Sequence, residues 1–240
     1  MKNNKKVKYV LIGIVLVLFT AICFMIYYVH DYYRASNSVN KYLKDSDTVK
    51  VIKEDDIYFF DGYGEDDAII FYQGGKVENI SYAPLLNKLS QNGIDCFLVN
   101  MPFNLAFLDI NAANKVKNKY EYKNWYIMGH SLGGVAASMY AKDNNVTGLI
   151  LLASYPSNKI DDNIKILSIY GSNDGVLNKK AYNDNKKNFS INTREYIIDG
   201  ANHANFGNYG KQAKDNESFI DREEQQDITV NYIKEFVLGD

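Results

Sequence analysis

Cysteine and histidine are both scarce, with two cysteines and three histidines among 240 residues. Cys23 sits inside an apolar N-terminal run and Cys96 in an apolar, strand-like stretch far along the chain. A bridge between them would require the globular part to reach into that run, so no disulfide framework is expected. No cluster of cysteine and histidine has metal-ligand spacing, and no metal site is expected. Charge of one sign is lacking too. The net charge is −2, and the lysines beyond the N-terminus are interspersed with acids, so no basic field is available to hold a nucleic acid. There is neither an internal repeat of about 20 to 50 residues nor a low-complexity linker. With 46% hydrophobic and 23% charged residues, the composition is that of a folded protein. The length suits one globular domain with a short appendage.

Positions 9–29 carry no charged residue, a run of 21, against the roughly 20 that a membrane-spanning helix needs. Lys2, Lys5, Lys6 and Lys8 precede the run, and by the positive-inside rule they stay cytoplasmic, which sends the remainder of the chain to the extracytoplasmic side. Tyr27, Tyr28, Tyr32 and Tyr33 are placed for the outer interface. A cleaved signal peptide is the rival reading, but the run exceeds the roughly 7 to 15 apolar residues of such a signal and ends without a small-x-small cleavage site. The expected organisation is a basic tip and single-pass anchor in the cell membrane over 1–30, contacting the lipid bilayer through 9–29. A polar and helical stalk follows over 31–48, then the globular domain over 49–240.

In that domain, β-branched and aromatic runs alternate with amphipathic stretches, as in strands joined by crossover helices. Strands are predicted at 49–52, 57–60, 68–72, 95–100, 125–129, 148–153, 166–170 and 194–198. Helices are predicted at 82–91, 105–118, 132–142, 179–188 and 222–236. A turn signal at Asp61-Gly62-Tyr63-Gly64 marks the first strands as antiparallel partners at one edge. The fold class is therefore α/β, with a mainly parallel eight-stranded sheet and helices on both faces.

The most specific signal is Trp125-Tyr126-Ile127-Met128-Gly129-His130-Ser131-Leu132-Gly133-Gly134, an apolar strand that runs through Gly-x-Ser-x-Gly into an alanine-rich helix. A serine raised on so tight a strand-to-helix turn needs glycine two residues away on each side, because larger side chains would collide with the sheet or helix. The turn also aims the Leu132 amide and the helix N-terminus at negative charge developing beside Ser131.

A serine hydroxyl needs an imidazole to take its proton. His30 lies at the membrane boundary, and His130 precedes Ser131 on a turn expected to direct it away from the hydroxyl. His203, in the loop after the last strand, remains. The orienting acid should lie between Ser131 and His203 at a strand end. Ile166-Leu167-Ser168-Ile169-Tyr170-Gly171-Ser172-Asn173-Asp174-Gly175 supplies Asp174, with Asp199 and the pair Asp161/Asp162 as rivals. A second oxyanion donor is expected in Phe71-Tyr72-Gln73-Gly74-Gly75-Lys76, after the third strand. The Gly75 amide comes first and Lys76 is held in reserve. Gly74-Gly75-Lys76 is not a nucleotide-binding loop, since Val77 stands where Ser or Thr is required and the upstream glycine is missing.

From about residue 68 onward, the loops around Gly75, Ser131, Asp174 and His203 together resemble the α/β-hydrolase superfamily. The likeness is to its compact bacterial, dienelactone-hydrolase-like members. The resemblance implies cofactor-free cleavage of a small-molecule acyl substrate, an ester, thioester, lactone or amide, through an acyl-enzyme. True dienelactone hydrolases carry a cysteine nucleophile where this chain has Ser131, so that particular activity does not transfer. The stretch 153–164 is too short for the cap domain many relatives insert, which implies a shallow site with Tyr155 and Phe206 as candidate lining residues. An acyltransferase using the same triad, or a catalytically silent tethered binding protein, are the competing readings.

Overall fold

In a computed structural model the chain is described over residues 2–239, with side chains from Lys6 onward, so Lys2 and Lys5 lie outside the described side chains. The chain forms two compact units, residues 1–32 and 33–240. The first holds helix α1, Lys2–His30, of which Lys6–His30 is long and apolar enough to cross a membrane, as a signal sequence can also be. Its one central hydroxyl, Thr20, bonds back to the carbonyls of Leu16 and Val17 at 3.1 and 2.9 Å. That hydroxyl is thereby satisfied within the helix, as an apolar solvent requires.

The second unit is built on one sheet. Its strands are β1 Lys50–Glu54, β2 Ile57–Asp61, β3 Asp67–Tyr72, β4 Asp95–Val99, β5 Asn124–His130, β6 Gly148–Leu152, β7 Lys165–Gly171 and β8 Thr193–Ile198. Their order across the sheet is β1-β2-β4-β3-β5-β6-β7-β8. β2 is antiparallel to both β1 and β4, and every later pairing is parallel. The antiparallel edge expected from the sequence is present, but its hairpin turns at Asp55-Asp56, with Asp55 at φ 47°. Residues 61–64 instead carry the chain from β2 past β4 to β3.

Helices α2 Ala83–Ser90 and α6 Arg222–Leu238 cover one face; α3 Ala113–Lys117, α4 Leu132–Asp143 and α5 Lys179–Asp184 belong to the other. β4 and β6 are buried along their whole length, which is why they read as unbroken apolar runs. Ala136, Ala137 and Ala141 have no exposed surface; their small side chains let α4 lie close against the sheet.

Two expectations need correction. Residues 105–118 do not form one helix: two short 3₁₀ turns, Pro102–Asn104 and Ala106–Leu108, precede the short α3. Helical propensity is overridden by tertiary bonds. The Asn104 carbonyl accepts from the Lys76 amide at 2.9 Å and its side chain from Gln73 Nε2 at 2.8 Å, holding the segment against the loop after β3. Nor is 33–48 a helical stalk. Tyr33 pairs with Val77, its amide bonding the Lys76 carbonyl at 2.7 Å and its carbonyl accepting from Glu78 at 2.9 Å. A 3₁₀ turn at Asn37–Leu43 then buries Val39 to 1% exposure. Polar composition hid a few apolar side chains that dock on the domain.

Val39→Ala should therefore lower the stability of the domain by about 2 kcal/mol, two buried methyls and a cavity. Urea unfolding of the full chain measures this, and an unchanged midpoint would restore the solvated stalk.

Candidate active site

β5 delivers Ser131 to the carboxyl edge of the sheet, and α4 begins at the next residue. Ser131 adopts φ 53°, ψ −124°, in the positive-φ half of the map that residues with side chains avoid. The turn closes only because its neighbours are glycine. A Cβ on Gly129 would come within 2.5 Å of the Gly133 backbone, and one on Gly133 within 2.2 Å of the Gln73 carbonyl oxygen. The strained residue is pinned from below. Its amide donates to Leu152 at 2.9 Å, and its carbonyl accepts from Ser154 Oγ at 2.7 Å.

Asp174 stands in the turn after β7, and His203 in the loop after β8. Their side chains are buried to 0% and 1% exposure, and His203 Nδ1 meets Asp174 Oδ2 at 2.8 Å. Asp174 Oδ1 accepts from the amides of Val176 and Leu177 at 2.8 and 2.7 Å. With the carboxyl acting throughout as acceptor, His203 Nδ1 is the donor of this bond and Nε2 is the ring nitrogen left over. His203 Nε2 makes no hydrogen bond, so it is not bonded to the Ser131 hydroxyl in this structure. The His203 ring does pack against that of His130, the residue before Ser131, with centroids 4.5 Å apart. Catalytic bonds of this kind are commonly long until substrate binds.

His130 is turned away to bond Tyr82, with Nδ1 and the Tyr82 hydroxyl 2.8 Å apart. That hydroxyl also accepts from the Gly74 amide at 3.1 Å. The phenol therefore donates to Nδ1, and His130 carries its proton on Nε2, which has no hydrogen-bond partner among the described residues. Burial first, then the neighbouring His203, hold the His130 imidazole well below its ordinary pKa. Desolvation likewise pushes the Tyr82 phenol upward. A neutral ring thus forms the floor beneath His203.

In the loop after β3, the Gly74 amide is taken by Tyr82 and the Lys76 amide by Asn104. The Lys76 reserve assignment is thereby removed. Among the described residues the Gly75 amide has no partner, and Gly75 lies against Leu132: a Cβ there would stand 2.6 Å from Leu132 Cδ1. Gln73 braces this arrangement from a fully buried position. It donates to the Val77 carbonyl and Asn104 Oδ1 at 2.7 and 2.8 Å and accepts from the Met101 amide at 3.2 Å.

The rival acids stay apart from the imidazole. Asp199 accepts from Ser172, Asp161 from the Asn163 amide, and Asp162 from Lys159. Phe206 does not line the site: it has no exposed surface and packs 5.6 Å, centroid to centroid, from His130. An aromatic just past the histidine was needed as core. Tyr155 is half-buried against Tyr182.

Asp215 gave no signal in the sequence. Its carboxylate accepts from the amides of Gly175 at 3.1 Å, His203 at 3.3 Å, Ala204 at 2.8 Å and Asn216 at 3.0 Å, tying the acid loop to the base loop. Gln225 of α6 does similar work, exchanging two bonds with the Asn202 backbone. Neither is adjacent in sequence to a motif, and only the folded chain shows what they hold. A cavity of about 400 Å³ beside the histidine loop is lined by Asn202, Ala204, Asp215 and Arg222, but neither Ser131 nor Gly75 contributes to it.

The sequence matches the alpha/beta hydrolase family over residues 68–227, and the protein belongs to that family. No curated protein matches it. Dienelactone hydrolase from Anabaena variabilis is a similar structure, with TM-score 0.58 and 15% identity over 79% of this chain and 99% of that one. MGS-MChE2, an alpha/beta hydrolase enzyme from the metagenome of lagoon sediments at Mar Chica, Morocco, gives TM-score 0.53 and 18% identity over 78% and 98%. TT1662 from Thermus thermophilus gives TM-score 0.56 and 9% identity over 78% and 98%. At these identities the likeness is one of fold, a dienelactone-hydrolase-like one, and the family indicates a hydrolase.

The depressed His130 has a consequence for stability. Below the ordinary imidazole value of 6.5, the unfolded chain binds a proton there that the folded chain refuses. Stability from this residue is complete above pH 6.5 and falls as pH drops toward the folded value, by up to about 1.4 kcal/mol per pH unit. Urea midpoints of the full chain between about pH 5 and 7 should fall less steeply in His130→Gln than in the wild type. Parallel slopes would show that His130 titrates normally.

Proposed function

We propose that this hydrolase is a serine hydrolase, anchored in the cell membrane by residues 9–29, that cleaves an ester or related acyl bond through an acyl-enzyme on Ser131. The observation that carries the reading is the buried Asp174–His203 contact. It orients the imidazole at the same sheet edge that carries Ser131 on a strained, glycine-flanked turn, which supports His203 as the base.

As Ser131 Oγ attacks the acyl carbonyl, His203 Nε2 takes the hydroxyl proton. The carbonyl π electrons pass to oxygen, and the Leu132 and Gly75 amides hold that oxyanion. Asp174 keeps the imidazole in register and stabilises its protonated form. Collapse of the tetrahedral species expels the leaving group, which takes the proton from Nε2. Water, deprotonated by the same nitrogen, then attacks the acyl-serine and releases the acid, returning the proton to Ser131. In the membrane orientation set by the N-terminal lysines, this chemistry takes place on the extracytoplasmic side.

A fluorophosphonate probe should label the full chain and fail to label Ser131→Ala. Asp174→Asn should lower turnover of any accepted ester about 10³-fold or more, because the imidazole loses its tautomer and orientation. Undiminished labelling of Ser131→Ala would assign the nucleophile elsewhere.

A further inference from the structure

Outside α1, the large apolar side chains left exposed are Tyr63, Phe103, Phe107, Leu108, Leu132, Ile191, Ile197 and Phe219. Half of them fall on two segments that flank the Gly75 loop, and that concentration has to be explained. Leu132 follows Ser131, is 47% exposed, and lies against Gly75. Phe103, Phe107 and Leu108, at 59%, 41% and 56% exposure, sit on the segment after β4. That segment is fastened to the same loop by the Asn104 carbonyl and side chain. Between its exposed residues, Ala106 is buried in the same apolar cluster as Ala136 and Ala137 of α4. β3, β4 and β5 are parallel neighbours, so the loops bearing Gly75, Phe103 and Ser131 leave the sheet at one edge.

The segment holds these rings out at a cost. Phe103 and Asn104 have φ 54° and 56°, and Lys76, bonded to Asn104, has φ 58°. Asparagine tolerates this region, whereas phenylalanine and lysine do not. An exposed ring returns no burial to offset the strain, and strain kept without a packing return points to function. Residues 101–108 carry no charged side chain, and the side-chain oxygen of Asn104, their one polar side chain, is already bonded to Gln73, so the segment offers a charged group no ionic partner. Apolar side chains on the loops that leave the same sheet edge as the nucleophile fit the part of a substrate attached to the acyl carbon.

We infer that Phe103, Phe107, Leu108 and Leu132 form a shelf that receives a long aliphatic acyl chain, so that the substrate is a fatty-acyl compound rather than a short or polar one. This rests on Ser131 being the acylated nucleophile. The shelf raises the rate for chains long enough to cover it, because each methylene removed from water strengthens binding along the reaction path.

The test compares rates of covalent labelling of the full chain in lipid nanodiscs by ethyl and octyl fluorophosphonates, a readout independent of which acyl bond is the natural one. The octyl probe should react about tenfold faster or more. In Phe107→Ser with Leu108→Ser, and separately in Phe103→Ser, the octyl-to-ethyl ratio should fall several-fold. These side chains are exposed, so the variants retain their fold, which unchanged thermal unfolding checks. A wild-type ratio near one, or a preference that survives both sets of substitutions, overturns the shelf while leaving the serine hydrolase intact; the latter would place chain recognition on the bilayer or elsewhere. Failure of both probes to label Ser131 overturns the hydrolase reading, and the shelf with it.

Discussion

The contact between Asp174 and His203 takes a carboxyl and an imidazole almost wholly out of water. Such burial is unfavourable by several kcal/mol per charged group unless every acceptor finds a donor. Two backbone amides and the imidazole meet that condition for Asp174, and the arrangement around them follows from the need to keep those partners in place. β7 and β8 set the two loops side by side. Asp215 gathers amides from both loops, and Gln225 anchors the histidine loop to α6. The result is an imidazole whose tautomer and direction are decided before any substrate arrives, which is how such a group gains its effect without reorganising during reaction.

The serine side of the site rests on a different constraint, close approach of backbone to backbone. Gly133 touches the carbonyls at the end of β3, and Gly129 touches Gly133. β3 and β5 are therefore brought together at their carboxyl ends, so that the loop carrying Gly75 and the first turn of α4 face one another. Buried Gln73, Tyr82 and His130 occupy the space beneath, joined by hydrogen bonds through Gln73 Nε2, the Tyr82 hydroxyl and His130 Nδ1. The Gln73 amide staples the loop after β3 to the segment after β4.

Much of this was legible in the chain itself, for identifiable reasons. Strands buried on both faces leave continuous apolar runs, and all eight were placed within a few residues. Ser131, Asp174 and His203 were singled out because each follows a strand and because only three histidines exist, and the fold brings Asp174 and His203 into contact. What escaped notice were interactions without a local signature. Asn104 binding the β3 loop unmakes a helix that the pattern of 105–118 favours, and Val39 docks from a segment whose composition is polar. Phe206 looks like a site aromatic by position, yet it fills the core beneath His130. Asp215 lies in a loop with no motif at all. Periodicity reports which residues face a core, whereas polar groups recruited from distant loops become visible only once the chain is folded.

The central claim is that an acyl oxygen on Ser131 lies between the Leu132 and Gly75 amides while His203 stands within reach of Ser131 Oγ. A crystal structure of the full chain carrying a covalent phosphonate tests it most directly. The account predicts phosphorus bonded to Ser131 Oγ, one phosphonate oxygen about 3 Å from both amide nitrogens, and His203 Nε2 turned to the adduct with its bond to Asp174 intact. A phosphonate oxygen directed away from Gly75, or an imidazole separated from Asp174 in the adduct, would contradict it.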